Sequence, residues 1–390
     1  MKARMSDYLS AVEAARRLGV SRQTLYAYVS RGLLRAHETG DPRQRRYEQA
    51  AVARLATERG RGRRPKDVAK ATLDWGLPVL ESGIALIQDG RLYFRGRDAL
   101  ALARDAMVED VAALLWDLPA ESAFGADAPA IPLAARSGNG DLLAVFAAAT
   151  TDDDTAVWRR DPHWVAAGCG ALVRTLLSFV TGAPPASGPV HLQLGVAWAL
   201  DDAGTDLVRM ALILCADHEL NASSFTARCV ASTGASLRSA VIGGLAALSG
   251  AKHGGTTARI ETFWRATPPH QIRHRLAAGD DLPGFGHPLY PGGDIRAEAL
   301  LARVLPLFPE ARSFAEAAEH LTGRKANIDF ALVALRRFLG LPEGAAFGLF
   351  ALGRCIGWIA HALEQRETGQ LIRPRAIYVG PPPDTGPHND

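Results

Sequence analysis

Three histidines and one aspartate in the second half of this chain are candidates for proton-transfer chemistry. His218 lies between two acidic residues in ADHEL, and His253 precedes a Gly-Gly pair in AKHGG. His287 follows a glycine in GFGHP, and Asp329 lies in NIDF, directly before an apolar helical segment. Imidazole and carboxylate groups are the side chains that most often transfer protons in enzymes, so the set suggests an acid–base site.

Each of these residues also has a purely structural interpretation. An isolated histidine in a helical protein is more often a packing or surface residue than a catalytic one. Asp329 could equally act as the N-cap of the helix that follows it. The four residues taken singly therefore leave both interpretations open, and the sequence around them has to decide.

Composition sets the class of protein. With 390 residues, 48% of them hydrophobic, the chain is long enough for two or three domains with sizeable cores. We find no continuous apolar run of about 18 residues and no signal peptide, and we expect a soluble cytoplasmic protein. The cysteines have no paired spacing, which favours reduced thiols over a disulfide frame or a zinc site. They are Cys169, Cys215, Cys229 and Cys355.

The charge is unevenly distributed. Residues 1–70 carry 17 Lys and Arg against 7 Asp and Glu, whereas the remainder carries 27 against 34. The basic portion is therefore expected to meet a polyanion. Within it, Ser10 and Glu13 predict a capping box for a helix that ends at Gly19. Ser21 predicts the N-cap of a second helix, RQTLYAYVSRG, with Leu25, Tyr26 and Val29 on its inner face.

This portion resembles the winged helix-turn-helix domain of the MerR and excisionase families. The resemblance rests on LSAVEAARRLGVSRQTLYAYVSRGLL followed by a basic turn and RRYEQAAVARL. It implies that the second helix reads base edges and that the basic turn lies along phosphates. A helical hairpin used only for packing or dimerisation is the alternative. The candidate DNA-binding residues are Arg22, Gln23, Thr24, Arg43, Arg45 and Arg46.

Most of the remaining chain is predicted to be helical. The exception is the segment 82–96, where apolar runs flank Asp89-Gly90 and predict a β-hairpin. Gly243-Gly244 is interpreted as a site of close helix packing. The predicted helical segments include 99–117, 141–150, 164–181, 190–201 and 205–220, and a further long helical segment is expected between His218 and His253.

Six ordered motifs resemble the citrate synthase family. They are ADHELNAS, AKHGG, GFGHPLY with DIRA, NIDF, FALGRCIGWIAHALEQ and IRPRAIYVG. The resemblance extends from about Ser82 to Gly380 and implies a mainly α fold with a large and a small helical domain. The expected domains are 1–58 (helix-turn-helix), 59–70 (basic linker) and 71–390 (synthase), the last with a large subdomain at about 71–255 and 345–390 and a small one at about 256–344.

The resemblance also implies roles for the candidate residues. His253 would hold the thioester carbonyl oxygen, Asp329 would remove the α-proton of the acyl-CoA, and His287 would donate to the ketone of oxaloacetate. Further substrate contacts would come from His218, Arg296, Arg354 and Arg373. In such proteins the last of these arginines reaches the neighbouring subunit's site, so a homodimer is implied. No metal or tightly bound cofactor is expected, because acetyl-CoA is a substrate.

The segment after His287 departs from the family's pattern. The family commonly places basic residues there for the phosphates of coenzyme A, but residues 288–295 read PLYPGGDI, with no cation before Arg296. Arg324 and Lys325 are the candidates to replace them.

Two functions are therefore weighed. The first is an enzyme of the tricarboxylic acid cycle type that condenses acetyl-CoA or propionyl-CoA with oxaloacetate and hydrolyses the thioester. The second is a DNA-binding regulator whose synthase-like domain senses oxaloacetate or citrate without turnover. The altered segment after His287 favours the regulator, whereas the intact His253 and Asp329 favour the enzyme.

Overall fold

A computed structural model describes residues 8–18, 20, 22–30, 34, 36–38, 45–49, 51–52, 80–125, 141–149, 155–376 and 378–381. The chain divides into two compact units, one formed by residues 1–81 with 375–390 and the other by Ser82–Pro374. The predicted domain bounds at residues 58 and 70 fall outside the described residues, as do the basic linker and Arg43, and they stay predictions.

The described part of the N-terminal unit includes two short helices and a three-stranded antiparallel sheet. Its elements are β1 (Tyr8–Ser10), α1 (Ala11–Leu18), α2 (Arg22–Ser30), β2 (Ala36–Glu38) and β3 (Arg45–Glu48), with β3 in the middle of the sheet. The predicted capping box is confirmed, because Ser10 N donates to Glu13 Oε2 at 2.8 Å and Glu13 N donates to Ser10 Oγ at 3.3 Å. Leu25 and Tyr47 are fully buried in the small core of this unit.

One prediction for the inner face of α2 was wrong. Tyr26 is 46% exposed, whereas Val29 and Tyr28 pack against the core. Leu25 and Val29 are four residues apart and share a face, and Tyr26 is turned about 100° away from Leu25 on the helix.

The described residues of the second unit form helices and one small sheet. The predicted hairpin is confirmed by β4 (Ala85–Gln88) paired with β5 (Arg91–Phe94), to which β6 (Arg97–Asp98) adds a third strand. Asp89 and Gly90 both have positive φ, at 51° and 74°, as a two-residue type I′ turn requires.

The helices of this unit follow in chain order. They are α3 (Ala99–Asp105), α4 (Val108–Trp116), α5 (Ala120–Phe124), α6 (Leu142–Ala149), α7 (Pro162–Thr181), α8 (Val190–Ala197), α9 (Asp202–Cys215), α10 (Ala222–Ser232), α11 (Leu237–Leu248), α12 (Thr256–Ala266), α13 (Ile272–Ala277), α14 (Ile295–Val304), α15 (Pro309–Thr322), α16 (Ile328–Phe338) and α17 (Ala345–Thr368), with a 3₁₀ turn at Pro269–Gln271.

Four predicted helices differ from the observed ones. The segment 99–117 breaks at Ala106 and Met107, which are extended, and 190–201 ends early because Ala199 has a φ of 52°. Between His218 and His253, Gly234 at φ 81° separates α10 from α11, and Ser236 caps the second of them. The segment 205–220 ends at Cys215, so His218 lies in a turn instead of on a helix.

The core is built around α17. This 24-residue helix is buried along most of its length and packs against α7, α9, α10, α11 and α16. By length and composition α7 and α17 could span a membrane, although polar residues interrupt the apolar stretch of each helix. The protein itself buries 67% and 89% of those two stretches, as it does in core helices.

Candidate active site

The turn after α9 and the loop before α14 bring two of the candidate histidines together. The rings of His218 and His287 lie edge to face with their centroids 5.1 Å apart. Tyr290 lies beside both, with its hydroxyl 3.1 Å from His218 Nε2 and its ring centroid 5.2 Å from that of His287. A tyrosine therefore joins the histidines in one cluster.

A short antiparallel bridge connects the His287 loop to the segment that carries Asp329. Gly286 N donates to Lys325 O at 2.8 Å, Asn327 N donates to Gly284 O at 2.9 Å, and Phe285 pairs with Ala326. Gly284 and Gly286 have φ of 86° and 84°, a conformation that other residues adopt only with strain. These two glycines allow the loop to double back so that His287 faces the start of α16.

Asp329 lies in the first turn of α16 but does not cap it. Asn327 is the N-cap, with its Oδ1 accepting from the backbone N–H of Asp329 and of Phe330. Asp329 Oδ1 is shielded from solvent and has no hydrogen-bond partner among the described residues. The side chain is thus left for a role other than helix capping.

His253 approaches from the opposite side, in the turn between α11 and α12. Its Nε2 lies 2.8 Å from Ser223 Oγ, and its ring meets the edge of Phe350 with centroids 6.0 Å apart. Asn221 caps α10 and donates to the carbonyl of His218 at 3.3 Å. The segment 218–223 therefore supplies His218 to the site and, through Ser223, holds His253 in place.

Two buried arginines lie behind these groups. Arg296 is 2% exposed and forms two hydrogen bonds with Asp294, at 2.8 and 2.9 Å, while Asp294 also accepts from Ile328 N at 3.0 Å. Arg354 is 1% exposed, and its Nε donates to Cys215 O at 2.8 Å. Arg354 Nη2 is buried without a partner among the described residues.

Burial and the two arginines set the protonation states of the site. Burial, together with the nearby charges of Arg296 and Arg354, lowers the pKa of His253 and of His287 to about 4. Burial also takes the pKa of His218 well below its ordinary value. In contrast, burial raises the pKa of Asp329 to about 7, even though Arg296 opposes that rise. Near neutral pH the histidines are therefore uncharged, while Asp329 can both bind and release a proton.

Hydrogen bonding fixes the tautomer of His287. Leu289 N donates to His287 Nδ1 at 3.2 Å, so this nitrogen carries no proton and the neutral ring has its proton on Nε2. The site therefore combines a poised carboxylate, neutral imidazoles and fixed cations, a combination suited to deprotonating carbon next to a carbonyl group while an anionic substrate is held.

Three of the predicted residues are exposed. Arg373 lies in the segment that follows α17. Arg324 is exposed and covers Gly286, whose Cβ, if added, would lie 3.0 Å from Arg324 Cδ. Lys325 pairs with Glu298 at 3.0 Å. Among the described residues, no group of three or more His, Cys, Asp and Glu could hold a metal ion.

Residues 180–375 match the citrate synthase C-terminal domain family, which covers half of the chain. The chain belongs to the citrate synthase family. Residues 8–60 of this citrate synthase homologue separately match a helix-turn-helix domain.

Individual relatives agree with the family. A putative citrate synthase 2 of Mycobacterium tuberculosis is 36% identical over 187 residues, 44% of this chain and 50% of the relative. The 2-methylcitrate synthase 1 of Corynebacterium glutamicum is 35% identical over 184 residues, 44% of this chain and 48% of the relative. These alignments thus span about half the length of each relative. The crystal structure of citrate synthase from Thermotoga maritima superposes with a TM-score of 0.66 at 25% identity, covering 78% of this chain and 94% of that one.

Several site residues were missed at the level of sequence. Tyr290 and Asp294 lie inside motifs that were quoted for their neighbours, and Ser223 and Asn221 lie in ELNASS. Phe350, between His253 and Arg354, has no polar group to draw attention to it, although Arg354 Cζ lies 5.2 Å from its ring. Spacing alone gave no reason to select any of them.

Proposed function

We propose that this citrate synthase homologue condenses an acyl-CoA, with acetyl-CoA or propionyl-CoA as the donor, with oxaloacetate and hydrolyses the resulting thioester to citrate or 2-methylcitrate. The observation that carries the proposal is the convergence of Asp329, three neutral imidazoles and two buried arginines on one site. Relatives named as citrate synthases and as 2-methylcitrate synthases are almost equally similar, so both donors stand in the proposal.

In the first step Asp329 removes a proton from the α-carbon of the acyl thioester. That carbon is a very weak acid, so the developing enolate charge has to be met by a fixed donor at the carbonyl oxygen, which is the role of His253. Donors of this kind lower a barrier by roughly 3 kcal/mol. A carboxyl group whose pKa is about 7 is a stronger base than an ordinary aspartate, which supports this assignment.

In the second step the enol carbon attacks the ketone of oxaloacetate. His287 donates from Nε2 to the ketone oxygen, and Arg296, Arg354 and His218 hold the two carboxylates. An arginine presents paired N–H groups that match a carboxylate, and both guanidinium groups are held by buried partners before substrate arrives. Water then hydrolyses the citryl thioester, which releases CoA.

Two further contacts complete the proposed site. Arg324 and Lys325 bind the phosphates of coenzyme A, and Arg373 comes from the partner subunit of a homodimer. The second of these is supported by the exposure of Arg373 and of its neighbour Leu371, which is 58% exposed in the isolated chain. The chain needs no metal or tightly bound cofactor for these steps, and we expect it to act in the cytoplasm.

The test is release of free CoA from acetyl-CoA or propionyl-CoA, followed with a thiol reagent, with and without oxaloacetate. We expect steady release that requires oxaloacetate, and comparison of the two donors identifies the preferred acyl group. Asp329→Ala should nearly abolish release while oxaloacetate still binds in calorimetry. If the unmodified protein binds oxaloacetate but never releases CoA, the regulator hypothesis replaces the enzyme.

A second function is proposed for the N-terminal unit, namely DNA binding. It is favoured by the match of residues 8–60 to a helix-turn-helix domain and by the net positive charge of this portion. Thr24 lies in the first turn of α2, and Arg45 and Arg46 lie on β3, where they can follow a phosphate backbone. The structure describes no side-chain positions for Arg22 and Gln23, and Arg43 lies outside the described residues.

A further inference from the structure

A buried polar network lies directly behind the substrate arginine and outside the catalytic set. Asp217 and His361 are both 0% exposed, and His361 Nε2 lies 3.2 Å from Asp217 Oδ1. His361 Nδ1 lies 3.2 Å from Arg228 Nη1, and Arg228 in turn pairs with Glu364 at 2.5 Å. The network joins the turn before His218 to the middle of α17 and to α10.

The partners of His361 fix where its proton resides. A guanidinium group can only donate, so Arg228 approaches Nδ1 as a donor and that nitrogen carries no proton. The proton of the neutral ring is then on Nε2, which faces Asp217. Arg228 already has Glu364 as its counter-ion, so a neutral imidazole lies between a balanced ion pair and the Asp217 carboxylate.

Asp217 has no other hydrogen-bonding partner in the described part of the chain. Neither of its carboxylate oxygens forms a well-aligned hydrogen bond there. A buried carboxylate without such bonds destabilises a fold by several kcal/mol, on the order of 3 to 5 when a partner is missing. Burial lowers the pKa of Arg354. The next largest effect on this arginine comes from the charge of Asp217, which raises its pKa. Asp217 thus acts as the counter-charge of a substrate-binding cation.

Packing links the same residues to the geometry of the site. Arg354, Gly357 and His361 lie along one stripe of α17, three to four residues apart. Arg354 donates to the carbonyl of Cys215, and the absent side chain of Gly357 allows the turn to approach closely, since an added Cβ would lie 2.5 Å from Asp217 Oδ1. The turn 215–218 is therefore held against α17 at three successive points.

We propose that Asp217 and His361 are positioning residues that hold the turn 215–218 against α17, and so fix the separation of His218 and Arg354 before oxaloacetate binds. The inference rests on the proposed function, because it assigns these two residues to oxaloacetate recognition. Neither touches the substrate, and neither takes part in proton transfer.

The first test measures oxaloacetate affinity by calorimetry and by steady-state kinetics in Asp217→Asn and His361→Asn. We expect Kd and KM for oxaloacetate to rise about tenfold or more, because the buried charge of Arg354 is no longer held in place. In contrast, kcat at saturating oxaloacetate and KM for acetyl-CoA should stay within about threefold.

Rescue and control variants separate this role from a general loss of packing. In His361→Gln, the amide reaches the former Nε2 position, so most of the affinity should return. His191→Asn removes another buried histidine, which lies on α8 outside the candidate site, and should leave oxaloacetate affinity unchanged.

A second pair of variants tests the packing contact without removing a polar group. Gly357→Ala pushes the turn away from α17 and should weaken oxaloacetate binding in the same way. Gly348→Ala on the same helix, where the added Cβ would lie 2.8 Å from Val180, should lower thermal stability without that effect. Unchanged oxaloacetate affinity in both Asp217→Asn and Gly357→Ala, or equal losses in the His191→Asn and Gly348→Ala controls, would overturn the inference. If the unmodified protein neither binds oxaloacetate nor releases CoA, the proposed function fails first.

Discussion

At the scale of single residues, one environment of low polarity sets the protonation states of the acid–base groups. Asp329, His253 and His287 are each partly exposed, whereas Arg296 and Arg354 are almost fully buried. Burial favours the neutral form of the aspartate and of both histidines. For the carboxyl group this raises the pKa, and for the imidazoles it lowers the pKa, so one environment produces a base and its hydrogen-bond donors together.

The pH dependence of condensation follows from these values. Because the pKa of Asp329 is raised to about 7, its ionised form is lost as the pH falls through 7, and kcat/KM for acetyl-CoA should fall by about tenfold per pH unit below that point. His253 and His287, with pKa values lowered to about 4, stay neutral and add no change between pH 5 and 9. Initial rates of CoA release across that range measure the profile. A flat profile between pH 5 and 8 would contradict the assignment of Asp329 as the base.

The sequence indicated candidate residues where a short motif surrounds the residue. AKHGG, GFGHP and NIDF point to His253, His287 and Asp329 because each places a polar side chain beside glycine or a helix start. The supporting residues gave no such signal. The contact of His361 with Asp217 joins positions 144 residues apart, and nothing in either local sequence indicates the other.

At the scale of elements, close approach of α11 and α17 supports the turn that carries His253. Gly244 lies against Trp358, and a Cβ added to this glycine would lie 2.5 Å from the indole ring. This agrees with the sequence-based interpretation of Gly243-Gly244 as a packing site. The indole is fully buried and has no room to move away.

Gly244→Ala should therefore destabilise the protein by about 1 to 3 kcal/mol, as overpacking of a filled core does. Thermal or urea unfolding monitored by circular dichroism measures the change. Gly188→Ala is the matched control, because no atom lies within 4 Å of a Cβ added there, and it should leave stability unchanged. If the two variants are equally stable, α11 and α17 can move apart without a loss of folding free energy, and the packing argument is wrong.

Elements with strong local chemistry were predictable, whereas breaks between helices were not. The capping box at Ser10 and Glu13 and the Asp89-Gly90 turn each depend on residues within a few positions. The end of α9 at Cys215 depends instead on Arg354, which takes up the carbonyl of Cys215 from the far end of the chain. The hydrophobic periodicity of the sequence therefore predicted a helix that continues past Cys215, where tertiary contacts impose a turn.

At the scale of the whole molecule, a region of the citrate synthase family is joined to a helix-turn-helix unit, and the two proposed functions are expected to be separable by mutation. Replacing Arg45 and Arg46 together by alanine should weaken binding to duplex DNA. The slope of log K against log salt concentration should also become shallower by about one for each arginine–phosphate pair that is removed. Fluorescence anisotropy across a salt series measures this, and CoA release should be unchanged. Lysine at both positions is the matched control and should keep most of the affinity. If this slope is identical in the unmodified protein, the double alanine variant and the double lysine variant, these arginines do not contact DNA phosphates.

The proposed homodimer makes the strongest prediction at this scale, because the proposal assigns Arg373 to the site of the partner subunit. Arg373→Ala and Asp329→Asn should each be nearly inactive alone. When both are co-expressed in one cell, half of the dimers are mixed, and in each mixed dimer one site has an intact Asp329 from one chain and an intact Arg373 from the other. Two-tag purification and CoA release should therefore give about a quarter of normal activity in the unseparated pool and about half in the purified mixed dimers.

The same experiment distinguishes a shared site from a self-contained one. If Arg373 served its own subunit, each mixed dimer would contain one site lacking the arginine and one lacking the carboxylate, and co-expression would restore no activity. Co-expression of Arg373→Ala with Arg354→Ala is the control: a partner that keeps Arg373 also completes the site of the first chain, so activity should again be restored. Pairing Asp329→Asn with Arg354→Ala should restore nothing, because both changes lie in the site of their own chain and each mixed dimer then has two defective sites. Restoration in the first two pairings and none in the third is the pattern that only subunit sharing of Arg373 produces.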